Sequence, residues 1–450
     1  MEGALRELLR EAEQKGIVLG LSRMRELMRE LSDPQDELLF IHVAGTNGKG
    51  SVCEYLSEIL KSAGYRTGQY SSPAVDGRLN QYRVNGEPIP SREHERLLSR
   101  VLKAAESLLK SGREEPTLFE LETALAFLYF KEQNCDIVVL ETGMGGRDDA
   151  TNIINTKALC VLTGISEDHL GMIGDDITEI TRTKCGIIKK GVPVVCAENG
   201  REINAVIAEE CAKKGAPYIQ VGRCSAYDVF YGLYGQEFSY KGRKGLRLCM
   251  GGDHQIENAA IAIEACDCLS EKGFHISEDN IREGLKASVC PFRMERISEA
   301  PEFILDGAHN PAAALSLAAS LKRNAKGRAL IFIMGMFKDK DYKEVCRIVA
   351  PLPRAVITVE KKDNPRALSR NLLKEALIEE GAGNVYAAGS IREAAEDALA
   401  LAGSFNDSGK RPLIVAFGSF SYLSELKEEV MLIKNNDLSK PGLSPGRTVS

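Results

Sequence analysis

The stretch Gly45–Ser51, with the sequence G-T-N-G-K-G-S, carries the residue types of a phosphate-binding loop. It follows the apolar run Leu38–Ile41, which predicts a buried strand, and precedes Val52–Gly64, whose apolar residues recur at helical spacing. In such a strand–turn–helix unit the backbone N–H groups and the helix dipole favour anions. Lys49 adds a full charge, and the Ser51 hydroxyl can ligate Mg²⁺. We therefore expect this loop to bind phosphate.

The spacing of the loop departs from the usual phosphate-loop pattern, which has four residues between its glycines and a hydroxyl residue directly after the lysine. Here only two residues separate Gly45 from Gly48, and Gly50 separates Lys49 from Ser51. A glycine-rich turn with an incidental lysine is the alternative interpretation. The glycines, the lysine and the strand–helix context together favour phosphate binding.

Polar residues also follow other predicted strands. Glu141 comes directly after the apolar run Asp136–Leu140 and opens a glycine-rich segment, and His169 follows the predicted strand Ala158–Thr163. Ligand-binding loops lie at the carboxyl ends of parallel strands, and a carboxylate there suits Mg²⁺. The segment Gln69–Gln81 leaves another strand end and is polar, with proline and glycine. A plain turn at Glu141, a hydrogen-bonded structural role for His169 and a surface excursion at Gln69–Gln81 remain the alternatives.

Composition narrows the functional classes. The chain has 450 residues, which predicts two or three domains. Its net charge of -6 argues against a general nucleic-acid or membrane-surface binder. No apolar run reaches the ~18 residues that a membrane-spanning helix needs, and the charged N-terminus does not resemble a signal peptide. The 12 cysteines are scattered, which indicates reduced thiols and a cytoplasmic location.

Several patterns predict the elements around these loops. Residues 1–35 indicate an amphipathic helical lead-in. Ser91 is a candidate cap for a helix to about Leu109, and Thr117–Glu120 has the form of a capping box. Short aromatic segments within 228–250, separated by glycines, predict a small antiparallel sheet.

The composition changes near residues 291–296, and the alternation of strands and helices then begins again. We therefore expect an α/β fold with two domains and a tail. A P-loop NTPase-like N-terminal domain, with a mostly parallel sheet plus a small antiparallel sheet, covers 1–292. A Rossmann-like α/β C-terminal domain covers 296–435, and 436–450 form a flexible tail.

Eight short motifs in a fixed order resemble the Mur ligase superfamily and, within it, the folylpolyglutamate synthase and dihydrofolate synthase family. They are G-T-N-G-K-G-S at 45–51, S-S-P at 71–73, E-T-G-M-G-G-R-x-D-A-T-N at 141–152, D-H at 168–169, K-C-G-I at 184–187, H-Q-x-x-N-A at 254–259, F-R-M-E at 292–295 and D-G-A-H-N-P at 306–311. The glycine inserted after Lys49 and the D-G-A-H-N-P motif favour the folate branch.

The resemblance implies a set of site residues. The implied catalytic residues are Lys49, His169, Lys184 and Arg293, with Lys184 carbamylated. The implied ATP contacts are Thr46, Asn47, Gly48, Lys49, Gly50, Ser51, Asn258, Arg293, Asp306 and His309. Ser51, Glu141 and His169 would hold two Mg²⁺ ions, and Ser72, Pro73 and Asp149 would contact folate.

The resemblance also implies the reaction. An ATP-dependent ligase of this family adds L-glutamate to the γ-carboxyl of a folyl polyglutamate through an acyl phosphate, and dihydropteroate is a further acceptor in part of the family. Three departures fall on the folate side, and one of them is Asp148, which stands before D-A-T-N where leucine is usual. Ala74-Val75 stand where the family usually has H-L, and Asn80-Gln81 stand where E-R is expected.

Two other functions remain open. One is a Mur-type ligase that acts on another carboxylate, such as a UDP-muramoyl peptide. The other is a nucleotide-gated binding protein without ligase activity. In the favoured interpretation the partners are folate or dihydropteroate and L-glutamate, with neither nucleic acid nor membrane, and the protein is a monomer.

Overall fold

The structure is a computed structural model that describes residues 3–74, 76–167, 171–222 and 225–438. The chain divides between Pro291 and Phe292 into two compact units, each with its own large sheet. Within the described ranges, no helix combines the length and the apolar character needed to cross a bilayer.

The main sheet of the N-terminal unit has eight strands. They are β1 (Phe40–Ala44), β2 (Thr67–Tyr70), β3 (Tyr82–Val84), β4 (Glu87–Pro88), β5 (Ile137–Glu141), β6 (Lys157–Leu162), β7 (Val194–Ala197) and β8 (Tyr218–Val221). Their spatial order is β4-β3-β2-β5-β1-β6-β7-β8. The six strands from β2 to β8 in that order are parallel. The antiparallel edge of β3 and β4 was not expected from the sequence.

Helices cover both faces of this sheet, which explains why its central strand is buried on both sides. The helices are α1 (Gly3–Gln14), α2 (Ser22–Glu30), α3 (Lys49–Ser62), α4 (Ser91–Lys110), α5 (Leu118–Glu132), α6 (Ile177–Cys185), α7 (Arg201–Lys214), α8 (His254–Glu271) and α9 (Glu278–Ala287). On β1, Phe40 packs into the core formed with α1, α2, α4 and α5. Ile41 and Val43 pack into the core formed with α3, α8 and α9. The strand that leads into the phosphate loop is therefore fixed from both sides.

The small antiparallel sheet is confirmed. It consists of β9 (Tyr227–Tyr231), β10 (Gln236–Tyr240) and β11 (Arg243–Leu248), in the order β11-β10-β9. Its inward side chains Phe238, Tyr240 and Leu246 join the core that contains α3 and α8. This sheet therefore supports the same helix that begins at the phosphate loop.

The two predicted helix caps differ in outcome. Thr117 forms a complete capping box with Glu120 at the start of α5, as predicted. The prediction for Ser91 is wrong, because the cap position of α4 is Pro90 and no side chain caps that helix. The helical lead-in is also interrupted, since α1 ends at Gln14 and α2 begins at Ser22.

The C-terminal unit is a second α/β layer structure. Its strands are β12 (Glu295–Glu299), β13 (Glu302–Leu305), β14 (Ala329–Met334), β15 (Ala355–Thr358), β16 (Asn384–Ala387) and β17 (Pro412–Phe417), in the order β12-β13-β17-β14-β15-β16. All neighbours are parallel except β12, which forms a hairpin with β13.

The helices of the C-terminal unit alternate with its strands. They are α10 (Pro311–Asn324), α11 (Tyr342–Val349), α12 (Arg370–Glu379), α13 (Ile391–Asp407) and α14 (Phe420–Leu438). This alternation and the parallel sheet confirm the predicted α/β class. Strand β12 begins inside the segment that the sequence marked as a boundary. Helix α14 continues to Leu438, and the rest of the predicted tail lies outside the described residues.

Candidate active site

The phosphate loop connects β1 to α3 and is attached to the end of β6. The N–H groups of Thr46 and Asn47 both donate to the carbonyl oxygen of Gly164, at 2.8 Å and 3.0 Å. The hydroxyl of Thr46 also donates to the carbonyl of Ser166 at 3.0 Å. The first turn of α3 supplies further N–H groups that have no partner within the helix and that can face an anion.

Gly48 caps α3 in a conformation that other residues rarely adopt. Its φ is +90°, and a Cβ at this position would lie 2.4 Å from Oδ1 of Asn258. Asn258 is buried on α8, so the loop and α8 are in direct contact here. The glycine is required both by the backbone angle and by this close approach.

Lys49, Ser51 and Glu141 come together at the start of α3. Nζ of Lys49 lies 3.9 Å from Oε1 of Glu141, which is the last residue of β5. Ser51, two residues further along the helix, is buried. The sequence placed Lys49 and Ser51 after one strand and Glu141 at the end of another, and the parallel pairing of β1 with β5 brings the two strand ends to one edge of the sheet.

Gln255 is a residue of this cluster that the sequence analysis did not select. Its side chain is fully buried, and its Nε2 donates to Oγ of Ser51 at 3.1 Å. Its Oε1 accepts from Nδ2 of Asn258 at 3.3 Å. The two residues are three apart on α8 and so share one helix face. The H-Q-x-x-N-A motif contained this signal, because its glutamine precedes Asn258 by one helical turn.

Lys184 reaches the same loop from α6. It is 3% exposed, and its Nζ donates to the carbonyl oxygen of Gly45 at 3.0 Å. The spacing of the sequence around Lys184 gave no reason to place it there. The structure therefore joins Lys184 to the phosphate loop, and its carbamylation stays a prediction.

Asp149 stabilises the glycine-rich segment that follows β5 through hydrogen bonds to its backbone. Its Oδ2 accepts from the N–H of Met144 at 2.7 Å, and its Oδ1 accepts from the N–H of Thr151 at 3.0 Å. Burial raises the pKa of Asp149, and these hydrogen bonds oppose that rise. Ser72 and Pro73 are at least partly exposed in the segment after β2. The predicted folate contacts of all three residues stay predictions.

The start of α3 and the end of β5 carry oxygen atoms that could bind Mg²⁺. Ser51 and Glu141 offer the hard oxygen atoms that Mg²⁺ prefers. The adjacent Oγ1 of Thr142 is buried without a hydrogen-bond partner. His169, the third predicted ligand, lies outside the described residues. Among those that are described, no group of three or more His, Cys, Asp or Glu side chains forms a metal cluster. The oxygen donors present fit Mg²⁺.

In the C-terminal unit, the loop after β13 is fixed by Asp306. Its Oδ1 accepts from the N–H of Ala308 at 2.9 Å, and its Oδ2 accepts from the N–H of Met294 at 3.0 Å. Burial raises the pKa of Asp306, and the charge of Arg293 opposes that rise. Asp306 therefore connects the segment that carries Arg293 to the D-G-A-H-N-P loop.

Arg293 and His309 meet around Phe420 in the same unit. The guanidinium carbon of Arg293 lies 5.2 Å from the centre of the Phe420 ring, and the His309 ring centre lies 5.8 Å from it. A Cβ on Gly307 would lie 2.7 Å from Nη1 of Arg293. The His309 Nδ1 is 2.8 Å from the carbonyl of Gly307, so this nitrogen carries the proton. Three predicted site residues of this unit, Arg293, Asp306 and His309, thus form one cluster.

Two family models match the chain. The Mur ligase middle domain matches residues 43–266, and the Mur ligase, glutamate ligase domain matches residues 292–420. The first match contains the phosphate loop, Glu141, Lys184 and Asn258. The second contains the Arg293 cluster.

Curated relatives match almost the whole chain. The dihydrofolate synthase/folylpolyglutamate synthase of Bacillus subtilis is 33% identical over 423 residues, covering 92% of this chain and 96% of the relative. The folylpolyglutamate synthase of Lacticaseibacillus casei is also 33% identical, covering 91% and 94%.

Solved structures have the same fold. The Mycobacterium tuberculosis folylpolyglutamate synthase complexed with ADP superimposes with a TM-score of 0.86 at 29% identity, covering 95% of this chain and 97% of that one. Escherichia coli FolC in complex with DHPP and ADP superimposes with a TM-score of 0.79 at 29% identity, covering 97% and 98%.

Proposed function

Because this chain belongs to the Mur ligase superfamily and to its folylpolyglutamate synthase and dihydrofolate synthase family, we propose that it joins L-glutamate to the γ-carboxyl of a folyl glutamate at the expense of ATP. The observation that carries the proposal is the cluster of Lys49, Ser51, Glu141 and Lys184 around one phosphate loop. A turn with an incidental lysine would not require a buried lysine and a buried carboxylate to approach it. The interpretation of the loop as a phosphate site is therefore favoured.

The chemistry proceeds in two steps. The γ-carboxylate of the acceptor attacks the terminal phosphorus of ATP, which forms an acyl phosphate and releases ADP. The α-amine of glutamate then attacks the acyl carbon, forms the amide and releases phosphate. Both steps develop negative charge, so positioning and electrostatic stabilisation supply most of the catalysis.

Residues of the N-terminal unit would act on the phosphates. The first-turn N–H groups of α3 and the Lys49 ammonium would stabilise the charge on the transferred phosphoryl group. Ser51 and Glu141 would hold Mg²⁺, with His169 as a further ligand, and the bound ion would neutralise phosphate charge. Gln255 would orient the Ser51 hydroxyl through its hydrogen bond.

For Lys184 we propose carbamylation in the active enzyme. Its burial beside the carbonyl of Gly45 gives it a fixed place at the loop, and a carbamate there would add an oxygen ligand for metal or phosphate. Mass spectrometry of the intact protein with bicarbonate should show the added carbamate. Full activity of Lys184→Ala would contradict the role.

In the C-terminal unit, Arg293, Asp306 and His309 would contact the nucleotide. The support is that the Arg293 guanidinium and the His309 ring both lie against the Phe420 ring, and that both residues approach Gly307. A guanidinium suits phosphate, and a carboxylate or imidazole suits ribose hydroxyls. Asn258 of the N-terminal unit is proposed to meet the adenine side.

The test is a ligase assay with purified protein, ATP, Mg²⁺, L-glutamate and a reduced folate. We expect ADP release that depends on both glutamate and folate, together with a folate product extended by one glutamate. ATP binding without glutamate-dependent ADP release would instead indicate the nucleotide-gated binding protein.

The altered loop supports testing a second set of acceptors. Asn80-Gln81 occupy the positions where E-R is expected. Gln81 lies beside the S-S-P motif, since its carbonyl oxygen accepts a hydrogen bond from the N–H of Ser71 at 3.2 Å. The same assay with dihydropteroate tests dihydrofolate synthase activity, and with a UDP-muramoyl peptide it tests the other ligase class. We expect turnover with folyl glutamates, and turnover only with the muramoyl peptide would contradict the proposal.

We further propose that the protein acts as a monomer in the cytoplasm, without nucleic-acid or membrane partners. Most described cysteines are buried free thiols, which suits a reducing compartment. Light scattering at assay concentration tests the oligomeric state.

A further inference from the structure

A buried polar relay lies beneath the phosphate loop. His42, in the middle of β1, is 0% exposed, although the other residues of that strand are apolar. Nδ1 of His42 lies 2.7 Å from Nζ of Lys157, and Nε2 lies 2.9 Å from Oγ1 of Thr151. The Thr151 hydroxyl donates in turn to Oδ1 of Asp149. The side chains of His42 and Thr151 thus connect the buried amine of Lys157 to the buried carboxylate of Asp149.

Lys157 uses all three donors of an ammonium group. Besides His42, its Nζ donates to Oδ1 of Asn152 at 3.0 Å and to the carbonyl of Ile187 at 2.8 Å. An irregularity in the pairing of β1 with β6 follows Lys157 directly. It allows Lys157 and Cys160, three residues apart on a strand, to donate to the same Ile187 carbonyl. The strand geometry therefore aims Lys157 at this cluster.

The hydrogen bonds of the relay run in one direction. Burial lowers the pKa of His42 well below its usual value, and the charges of Lys157 and Lys189 add to the effect. His42 is therefore neutral and carries one ring N–H. When charged Lys157 donates to Nδ1, the proton lies on Nε2, which donates to Thr151. The Thr151 hydroxyl is then oriented to donate to Asp149.

The relay reaches two segments of the candidate site. Asp149 holds the N–H of Met144 in the glycine-rich segment after Glu141. Asn152 donates from Nδ2 to the carbonyls of Arg147 at 3.0 Å and Gly186 at 3.1 Å. Gly186 follows the end of the helix that carries Lys184, so Lys157 and Asn152 together connect the segment after β5 to the segment after α6.

We propose that Lys157 is a positioning residue that acts through His42 and Thr151 to hold the Asp149 segment in the conformation that the acceptor substrate requires. The assignment of that segment to the acceptor rests on the proposed function. The three hydrogen-bond partners of the Lys157 amine, His42, Asn152 and Ile187, lie outside the phosphate loop. The effect of Lys157 is transmitted by the direction of the hydrogen bonds.

Deprotonation of Lys157 reverses the relay. The titratable groups that act on Lys157 are His42 on β1, which it contacts, and Cys160 on its own strand, Lys189 beyond α6 and Asp149 in the segment after β5. The pKa of Lys157 is lowered to about 7, mainly by burial and also by the charge of Lys189, while Cys160 and Asp149 oppose the shift. A neutral amine can accept from Nδ1–H of His42. Nε2 then accepts from Thr151, and the bond from Thr151 to Asp149 is lost.

The first test measures the ¹⁵N shifts of the His42 ring in the substrate-free full-length protein across pH. We expect the proton on Nε2 at low pH and on Nδ1 at high pH. Lys157→Met should abolish this transition. Lys189→Met should move it to higher pH, because removing that cation raises the pKa of Lys157. A His42 tautomer that stays constant, or that changes equally in Lys157→Met, would overturn the proposal.

The second test separates positioning from general stability. Lys157→Met should lower kcat/KM for the acceptor about tenfold while leaving the affinity for ADP unchanged. Lys189→Met should also leave the affinity for ADP unchanged, and at neutral pH it should raise kcat/KM by no more than about twofold, because it only shifts Lys157 toward its charged form. Thr151→Val also breaks the relay and should add little to Lys157→Met in the double variant. Equal losses in ADP affinity, or fully additive effects, would contradict the relay. A wild-type protein without ligase activity would defeat the proposed function, whereas the ¹⁵N measurement would still test the relay.

Discussion

Gly48 shows how a single residue determines the geometry of the phosphate loop. Its positive φ and the contact with Asn258 are separate constraints, and both act at the first turn of α3. Gly50, two residues further along, meets neither constraint, since a Cβ there would lie 3.8 Å from Oε2 of Glu141, an ordinary contact. The two glycines therefore offer a matched pair of substitutions.

Gly48→Ala should destabilise the protein by about 1–3 kcal/mol and weaken ADP binding, because the strained backbone and the displaced Asn258 both distort the loop. Gly50→Ala should fold with unchanged or slightly higher stability, since alanine is the better helix former. Urea unfolding and calorimetric titration with ADP measure both effects. Equal stability of the two variants would show that the backbone angle carries no cost.

Lys49→Met should reduce the rate of ADP release about 10²–10³-fold, because the ammonium stabilises charge that develops in the transition state. Lys49→Arg keeps the charge but changes its shape, and should recover only part of the rate. Steady-state kinetics of glutamate-dependent ADP release, with the melting temperature as a control for folding, measure the loss. A rate within a few-fold of wild type for Lys49→Met would remove this lysine from the site.

At the level of single residues, sequence reasoning selected Lys49, Ser51 and Glu141 because lysine, hydroxyl and carboxylate groups follow strand ends. It did not select Gln255, whose function depends on a partner 204 residues away in the chain. It also selected Lys184 only by resemblance, since no spacing rule indicates that Nζ reaches the carbonyl of Gly45. Contacts between distant segments are set by the fold.

At the scale of elements, the two predicted caps show what a local pattern can decide. Thr117 caps α5 as predicted, because the carboxylate of Glu120, three residues later, accepts a hydrogen bond from the N–H of Thr117. The same carboxylate accepts from Nε of buried Arg23 at 3.1 Å. Ser91 lacks a glutamate or glutamine three residues later, and the chain instead enters α4 at Pro90. The complete motif was predictive, and the isolated serine was not.

Thr117→Val should lower the free energy of unfolding by about 0.5–2 kcal/mol, because the N–H of Glu120 loses its partner at a buried helix start. Ser91→Ala is the matched control and should change stability by less than about 0.5 kcal/mol. Denaturant unfolding of both variants makes the comparison. A larger loss for Ser91→Ala than for Thr117→Val would contradict the cap assignment.

At the scale of the whole molecule, the alternation of strands and helices predicted two α/β layers, and the structure has them. The antiparallel strands at the edges of the two large sheets, β3, β4 and β12, were not predicted. Strands β3 and β4 have only three and two residues, and β12 is mostly polar, so no long apolar run marks any of them. Their formation depends on an edge that the rest of the sheet provides.

The stability of the whole molecule should depend on pH through Lys157. Its pKa is about 7 when folded and 10.5 without burial. Between these values the unfolded chain binds the extra proton, so the free energy of unfolding contributed by this group rises with pH across that window. The difference between wild type and Lys157→Met, followed by urea unfolding at several pH values, should show this rise. A difference that is flat or falls with pH would contradict the low pKa.

The buried contact between His42 and Lys157 also bears on how the central strands find their partners. Strands β1, β5 and β6 are buried on both faces and mostly aliphatic, so apolar matching alone distinguishes weakly between neighbouring alignments. A shift of β1 by one residue against β6 would place Ile41 or Val43 at the position of His42 and leave one donor of the buried amine without a partner. The polar contact therefore discriminates against misaligned sheets during folding.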